Sequence, residues 1–179
     1  MILRPTPVAG AWELTIEPHH DERGFFARTW CAREFEAKGL NPSLAQCSVS
    51  FNAKAGTLRG LHFQRSPWRE TKLVRCTAGA VFDAIVDLRP ESSTYLKTHT
   101  AILSAANRVM LYVPEGCAHG FQTETDDAEV FYQISEFHHP EAGDGVRWDD
   151  PAFGIRWPDR RRIIADRDRG YPDYARVAR

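Results

Sequence analysis

Two histidines beside glycines are the residues best suited to proton transfer in this chain. His62 follows Leu58-Arg59-Gly60-Leu61, and His119 lies between Ala118 and Gly120. Lys72 stands ten residues after His62. A neutral imidazole is the usual general base near pH 7, and an ammonium stabilises the negative charge that develops when a ketone is enolised. If these groups lie in one cavity, they can remove a proton next to a carbonyl and hold an anionic ligand.

A histidine base needs a carboxylate to orient it, and a second group must return the proton. The candidate carboxylates are Asp83, Asp87 and Asp168, and the sequence alone does not choose among them. Tyr132 can donate a proton from the face opposite the base. Lys72 can stabilise the enolate by its charge. These roles predict an enolising site without naming its substrate.

Arginines supply the second part of the predicted site. Strand alternation would put Arg59 and His62 on opposite faces, so we expect a bulge or turn at Gly60 to bring both towards a ligand. Arg23, in the run Asp21-Glu22-Arg23-Gly24, can bind phosphate because the guanidinium fork matches phosphate oxygens.

A metal site is the main alternative use of the same residues. His62, Gln64, Glu70 and His119 resemble the metal set of a β-barrel with one ligand missing. Glutamine is a poor ligand for a transition metal. The adjacent His138 and His139 would point to opposite faces of a strand and cannot easily share an ion. We therefore expect no metal and no cofactor.

Composition excludes several other classes of protein. The chain has 179 residues, of which 42% are hydrophobic and 26% charged, with a net charge of -1. Such a balance is typical of a soluble globular protein and gives no field that attracts nucleic acid. The four cysteines form no CxxC pair, and no apolar run reaches the roughly 20 residues of a membrane span. We expect a cytoplasmic protein that binds neither nucleic acid nor membrane.

Turn-forming residues interrupt the chain every eight to twelve residues or so, which predicts an all-β sandwich or barrel with a few short helices. Strands are expected at 72–77, 80–88, 109–113 and 129–134, a helix at 32–38 closed by Gly39, and a single helical turn near 104–107. We expect one domain over residues 1–179, with an N-terminal arm to about residue 30 and a C-terminal extension from about residue 155.

Several motifs together are similar to those of the dTDP-4-dehydrorhamnose 3,5-epimerase family. In chain order they are Asp21-Glu22-Arg23-Gly24-Phe25-Phe26, Gly56 to Gln64, Lys72-Leu73-Val74, Val86-Asp87-Leu88-Arg89, Pro114 to Phe121, and Trp148-Asp149-Asp150-Pro151 through Trp157-Pro158. The resemblance covers nearly the whole chain, and the Leu-Arg-Gly-Leu-His and Ala-His-Gly-Phe runs are its most specific parts.

The resemblance implies a metal-free cupin jelly roll that forms a homodimer and acts on a nucleotide sugar. It implies four catalytic residues: His62 as base, Tyr132 as acid, Lys72 at the C4 oxygen and Asp168 as partner of the base. It implies eight substrate-binding residues, namely Arg23, Phe26, Arg28, Gln46, Arg59, His119, His138 and Arg167. The strand carrying Arg23 and Phe26 is expected to reach the site of a neighbouring subunit.

The expected reaction inverts C3 and C5 of dTDP-4-dehydro-6-deoxy-D-glucose to give dTDP-4-dehydro-L-rhamnose. The chain departs from the family pattern at Arg28, at Gln46-Cys47-Ser48, at His138 and at Arg167, positions that the resemblance places near the nucleotide. Epimerisation at C3 alone, or of another nucleotide sugar, therefore stays open. Alternatives from other classes are a non-catalytic cupin that binds a sugar nucleotide and a metal-dependent cupin.

Overall fold

The structure, a computed structural model, describes residues 1–175 as fourteen strands and two short helices. The strands are β1 (Ile2–Pro5), β2 (Trp12–Thr15), β3 (His19–Asp21), β4 (Gly24–Phe26), β5 (Gln46–Asn52), β6 (Thr57–Gln64), β7 (Lys72–Ala78), β8 (Ala80–Asp87), β9 (Thr98–Ser104), β10 (Met110–Val113), β11 (Cys117–Thr123), β12 (Ala128–Ile134), β13 (Gly143–Gly145) and β14 (Ile163–Ile164). The helices are α1 (Ala32–Ala37) and α2 (Asp166–Arg169). Residues 176–179, the end of the predicted C-terminal extension, lie outside the described residues.

Two antiparallel sheets face each other in a jelly-roll sandwich. The first sheet has the order β1-β2-β10-β7-β12-β5, and the second has the order β13-β6-β11-β8-β9, with β14 added in parallel to β6. The short hairpin β3–β4 stands outside both sheets. The predicted all-β class is confirmed.

The space between the sheets is filled by side chains that alternate along each strand. Val74 and Leu111 from the first sheet meet Ile85, Leu103 and Phe121 from the second, and all five are buried. Period-two alternation explains why the intervening residues of the same strands point outward. Polar side chains that follow the inward register therefore face the interior of the sandwich.

The outer face of each sheet is covered by a different part of the chain. Phe35 of α1 packs on the first sheet with Leu14 and Met110. Phe153 and Trp157 pack on the second sheet, where residues 146–157 cross its outer side. The C-terminal extension continues from this layer, and its strand β14 pairs with β6. Within residues 1–175, no helix is long and apolar enough to cross a membrane.

Most of the predicted elements agree with the structure. The four predicted strands correspond to β7, β8, β10 and β12, and the predicted helix corresponds to α1, after which Gly39 has a φ of 69°. At the predicted helical turn of residues 104–107 the chain makes a single turn, in which the N–H of Arg108 donates to the carbonyl of Ser104 at 3.0 Å, and it forms no helix. Ser104 and Asn107 also exchange hydrogen bonds between side chain and backbone within this turn. The short helix α2 was not predicted.

Candidate active site

A cavity of about 870 Å³ opens between the two sheets. All four predicted catalytic residues and five of the eight predicted substrate-binding residues line it: His62, Lys72, Tyr132, Asp168, Gln46, Arg59, His119, His138 and Arg167. His62 and His119 come from the second sheet, whereas Lys72 and Tyr132 come from the first. The cavity therefore has two chemically different walls.

A β-bulge at Gly60 turns Arg59 and His62 to the same side. On β11, His119 pairs with His62 and Phe121 pairs with Arg59, so three steps along β6 match two steps along β11. Gly60 has a φ of 123°, and a Cβ built on it would lie 2.6 Å from Gly120 Cα. Only glycine permits this backbone and this close approach. The predicted bulge is confirmed.

His62 forms a hydrogen bond with Asp168, which resolves the open choice of its partner. Nε2 of His62 lies 2.7 Å from Oδ1 of Asp168, although the two residues are 106 positions apart in the sequence. The other carboxylate oxygen, Oδ2, accepts the backbone N–H of Gly60 at 3.1 Å. With Nε2 donating to the carboxylate, Nδ1 is the ring nitrogen left to take a proton.

Asp168 is buried and stays ionised. Burial by itself raises the pKa of this carboxyl, but the hydrogen bond and charge of His62, the N–H of Gly60 and the charge of Arg167 outweigh it, so the pKa lies below its ordinary value. Asp168 is therefore an anion at neutral pH. An anionic partner orients the imidazole and stabilises the imidazolium that forms when His62 accepts a proton.

His119 and Tyr132 form a second group in the interior. Nε2 of His119 lies 2.9 Å from Oδ2 of Asp83, and both residues are buried. The ring of His119 meets the ring of Tyr132 edge to face, with centroids 5.9 Å apart. Burial, with the charge of Asp83, raises the pKa of Tyr132 far above its ordinary value despite the opposing charge of Arg59. The phenol is therefore protonated at neutral pH and can donate.

Lys72 enters the cavity as one half of an ion pair. Its Nζ lies 2.9 Å from Oε1 of Glu70, and both side chains are largely buried. Glu70 lines the same cavity. The pairing holds the ammonium at a fixed place in the wall of the first sheet, where it can face a developing oxyanion.

The remaining cavity residues are held by specific polar contacts. Nε of Arg59 donates to Oδ1 of the buried Asn52 at 2.8 Å, which leaves the outer part of the guanidinium for a ligand. Oε1 of Gln46 accepts the backbone N–H of His138 at 3.1 Å. Arg167 donates to the hydroxyl of Tyr171 at 2.9 Å.

Three predicted binding residues do not line the cavity of this single chain. Arg23 is exposed and pairs with Asp21 in the hairpin. Phe26 is 78% exposed on the same hairpin. Arg28 pairs with Glu34 of α1 at 2.8 Å. These residues belong to the N-terminal arm, which the structure brings to no part of the cavity wall.

The residues of the possible metal site all have hydrogen-bond or ion-pair partners within the protein. The amide of Gln64 donates to the carbonyls of Trp68 and Phe137, and its oxygen accepts the N–H of His139 at 2.7 Å. Within residues 1–175, no group of three or more His, Cys, Asp or Glu residues is arranged to hold a metal ion. Gln64 therefore fixes the loops beside the cavity.

Sequence reasoning missed some residues that shape the site. The sequence suggests Glu70 only as a possible metal ligand, and no local signal marks Asn52. Asp83 and Asp87 were candidates for the partner of His62. The structure instead pairs Asp83 with His119, while Asp87 accepts hydrogen bonds from Arg89 and from hydroxyl groups of its own loop. The sequence signal for the pair of Asp83 with His119 was that Asp83 lies at an inward-facing position of β8.

The fold and the cavity define a class of protein: a jelly roll with a histidine–aspartate pair on one wall and a tyrosine and a lysine on the other. The family model described as dTDP-4-dehydrorhamnose 3,5-epimerase matches residues 5–176. A dTDP-4-dehydrorhamnose 3,5-epimerase of Methanothermobacter thermautotrophicus is 41% identical over 169 residues, which cover 93% of this chain and 90% of that protein. The chain belongs to the dTDP-4-dehydrorhamnose 3,5-epimerase family, whose members have the cupin fold.

Solved structures agree with this assignment. The dTDP-4-dehydrorhamnose 3,5-epimerase from Bacillus anthracis, with TDP and PPi bound, has a TM-score of 0.92 at 39% identity, covering 97% of this chain and 99% of that one. A 3'-monoepimerase from Streptomyces bikiniensis, in complex with dTDP-quinovose, has a TM-score of 0.87 at 31% identity, covering 94% of this chain and 86% of that one. The same fold therefore carries both double and single epimerisation.

Proposed function

We propose that the chain is an epimerase that inverts C3 and C5 of a nucleotide-activated 4-keto-6-deoxy sugar. The preferred substrate is dTDP-4-dehydro-6-deoxy-D-glucose, and the product is dTDP-4-dehydro-L-rhamnose. The observation that carries the proposal is the pairing of His62 with a buried anionic Asp168 on one wall, opposite Tyr132 and Lys72 on the other. A protein that only bound the sugar would not need a matched base and acid.

The proposed mechanism uses each group in its observed place. The C4 ketone acidifies the hydrogens on C3 and C5, and His62 removes one of them through Nδ1. The electron pair of the broken C–H bond forms the enolate, whose oxygen is stabilised by the ammonium of Lys72. Tyr132 then gives its phenolic proton to the same carbon from the opposite face, so the centre is inverted. Proton exchange with solvent resets His62 and Tyr132 before the second centre reacts.

The polar contacts of the cavity support a nucleotide-sugar ligand. Arg59 and Arg167 place two guanidinium groups on its lining, and guanidinium groups bind phosphate oxygens bidentately. His119 is held for the sugar or its phosphates by Asp83. Gln46 and His138, which contact each other, are assigned to the nucleotide.

The N-terminal arm is assigned to a second copy of the chain. Arg23, Phe26 and Arg28 lie outside the cavity of their own chain, and the hairpin that carries Arg23 and Phe26 pairs with neither sheet. In a homodimer this hairpin would reach the partner's cavity and add a guanidinium and an aromatic ring. We assign residues 1–179 to one domain that works as a cytoplasmic homodimer without metal or cofactor.

Proton NMR in deuterium oxide tests the proposed reaction. Catalytic amounts of enzyme are added to dTDP-4-dehydro-6-deoxy-D-glucose, and the C3 and C5 proton signals are followed. Loss of both signals is the expected result. Loss of the C3 signal alone would assign the chain to the single-centre epimerases. No loss, together with tight binding in calorimetry, would contradict the enzyme and support a binding protein.

The same experiment with other nucleotides tests the choice of thymidine. The UDP and GDP forms of the same sugar are compared with the dTDP form at equal concentration. We expect the highest kcat/KM for the dTDP form. A higher value for another nucleotide would correct the substrate and leave the proton chemistry unchanged. The His62→Ala variant is the control, because it is expected to bind the nucleotide and to exchange neither proton.

A further inference from the structure

The carboxylate that pairs with His62 is carried by an element that cannot hold itself in place. The helix α2 spans only Asp166–Arg169, and its N-cap residue Ala165 makes no side-chain capping bond. A helix of one turn has no stability of its own in water, because nucleation costs more than a single turn returns. The 2.7 Å contact between Asp168 and His62 must therefore depend on the chain on either side of α2.

Both flanks of α2 are attached to the second sheet. Before the helix, β14 pairs with β6, so that Ile163 lies opposite Thr57. After the helix, the ring of Tyr171 lies against Gly145, where an added Cβ would come within 2.5 Å of Cζ. Gly145 is itself the partner of His62 in the pairing of β13 with β6. The residues after α2 thus return to β13, directly beside the strand that holds the base.

Asp150 fastens the tail beyond Tyr171. Its carboxylate is buried, with Oδ1 accepting the N–H of Ala152 at 2.8 Å and Oδ2 accepting the N–H of Tyr174 at 2.6 Å. The Tyr174 ring packs on Phe153, with centroids 5.4 Å apart, and its hydroxyl lies 3.1 Å from that of Tyr95. The bond to Tyr174 joins the Trp148-Asp149-Asp150-Pro151 motif to the C-terminal tail. No step of the proposed mechanism uses this motif.

We propose that Asp150 is a positioning residue for the epimerisation. It holds the backbone at Tyr174, the tail then keeps Tyr171 on Gly145, and α2 stays seated with Asp168 on His62. Hydrogen bonds from a backbone N–H to a carboxylate are charge-assisted and strong, and burial strengthens them further. Asp150 does not line the cavity, so it acts only through the tail. This inference rests on the proposed function, since it takes Asp168 as the partner of the base.

A double-mutant cycle tests the route through Asp168. Asp150→Ala is expected to lower kcat about 10- to 100-fold with KM nearly unchanged, because a small misplacement of a catalytic group has an effect of this size. In the Asp168→Ala background the same change is expected to have no further effect on kcat, since no carboxylate is left to position. An equal loss of kcat in both backgrounds would overturn the proposal.

A matched control separates positioning from general destabilisation. Tyr112 is also buried and also anchors a loop, since its hydroxyl accepts the N–H of Asn41 at 3.1 Å, but it lies on the outer face of the first sheet with Phe35. Any loss of kcat in Tyr112→Phe is expected to be the same with and without Asp168. If Tyr112→Phe showed the same dependence on Asp168 as Asp150→Ala, the effect would be one of stability, and the assignment to Asp150 would be wrong.

Hydrogen exchange gives a readout that does not depend on turnover. In Asp150→Ala, amide exchange is expected to become at least about tenfold faster in the peptide covering residues 165–175 and to stay unchanged in β8 and β11. Faster exchange with an unchanged kcat would overturn the positioning role and leave the proposed function standing. If the wild-type protein enolised no nucleotide sugar, the proposed function itself would be wrong. Hydrogen exchange would still show whether Asp150 holds the tail, so the two failures can be told apart.

Discussion

Two histidine–carboxylate pairs face the same cavity, and they differ in exposure and in how they are held. The His62 side chain is 37% exposed and its partner Asp168 comes from a four-residue helix, whereas His119 is 3% exposed and its partner Asp83 lies within a central strand. A base must reach both substrate and solvent, so exposure suits His62. The His119 pair is part of the sheet itself and suits a fixed polar contact. Two similar histidine–carboxylate pairs in one fold can therefore have different roles, one in proton transfer and the other in holding a fixed contact.

The largest expected effect is the loss of kcat on removal of His62, which distinguishes His62 from His119. His62→Ala is expected to lower kcat by about 10²- to 10⁴-fold, the usual contribution of a general base, and to lower the melting temperature because the buried Asp168 loses its partner. His119→Ala is expected to act mainly on KM. Steady-state kinetics with calorimetric melting of both variants make the comparison. A His119→Ala variant with the larger loss of kcat would reverse the roles.

Removing the carboxylate of each pair is expected to lower the free energy of unfolding by different amounts. Asp83→Ala leaves His119 buried without its partner, so we expect a loss of about 3 kcal/mol or more in the free energy of unfolding. Asp168→Ala opens a site at the cavity wall, where water can replace the lost contacts, so its loss of stability should be smaller. Urea denaturation of both variants measures the difference. Equal losses would show that the two pairs are equally structural.

A single methyl group at Gly60 should damage both pairs together. Gly60→Ala places a Cβ against Gly120 and requires a residue other than glycine at a φ of 123°, which we expect to cost about 1–3 kcal/mol. The bulge sets the register of His62 against His119, so kcat and KM should change in the same variant. Gly154→Ala is the control, since its φ is also positive but no atom lies within 4 Å of its added Cβ. A Gly60→Ala variant no more affected than this control would contradict the role of the bulge.

The smallest expected effect is a dependence of folding stability on pH in the acidic range. The folded-state pKa of Asp168 lies below its ordinary value of 3.8, so its contribution is fully present above pH 3.8 and is lost as the pH falls through the folded pKa. The difference in unfolding free energy between wild type and Asp168→Asn should therefore narrow below pH 3.8. Urea denaturation at pH 7, 4 and 3 measures it. A difference that stays constant across this range would contradict the lowered pKa.

The sequence predicted much of this arrangement because strand periodicity and turn residues are local signals. The all-β class, α1 and four strands could be predicted, and the need for a bulge followed from the spacing of Arg59 and His62. The meeting of His62 with Asp168 could not be derived from local pattern, since the two residues are 106 positions apart in the sequence. Its expectation came from family resemblance.

Other parts of the site depend on tertiary contacts that leave no local pattern. The Glu70–Lys72 pair needs the ends of both side chains to turn into one cavity, although the two residues are close in sequence. The contact of Asn52 with Arg59 joins β5 to β6 across the two sheets. The helix α2 is too short to show a periodicity, and the tail contacts that hold it are dispersed.

The central claim is that proton removal and proton return occur on opposite walls of the cavity. The most direct test follows dTDP-4-dehydro-6-deoxy-D-glucose in deuterium oxide with wild type, Tyr132→Phe and His62→Ala, measuring C3 deuteration and inversion separately. We predict that wild type deuterates and inverts, that Tyr132→Phe deuterates with inversion reduced by about 10²-fold or more, and that His62→Ala does neither. Deuteration by His62→Ala at the wild-type rate would contradict the account.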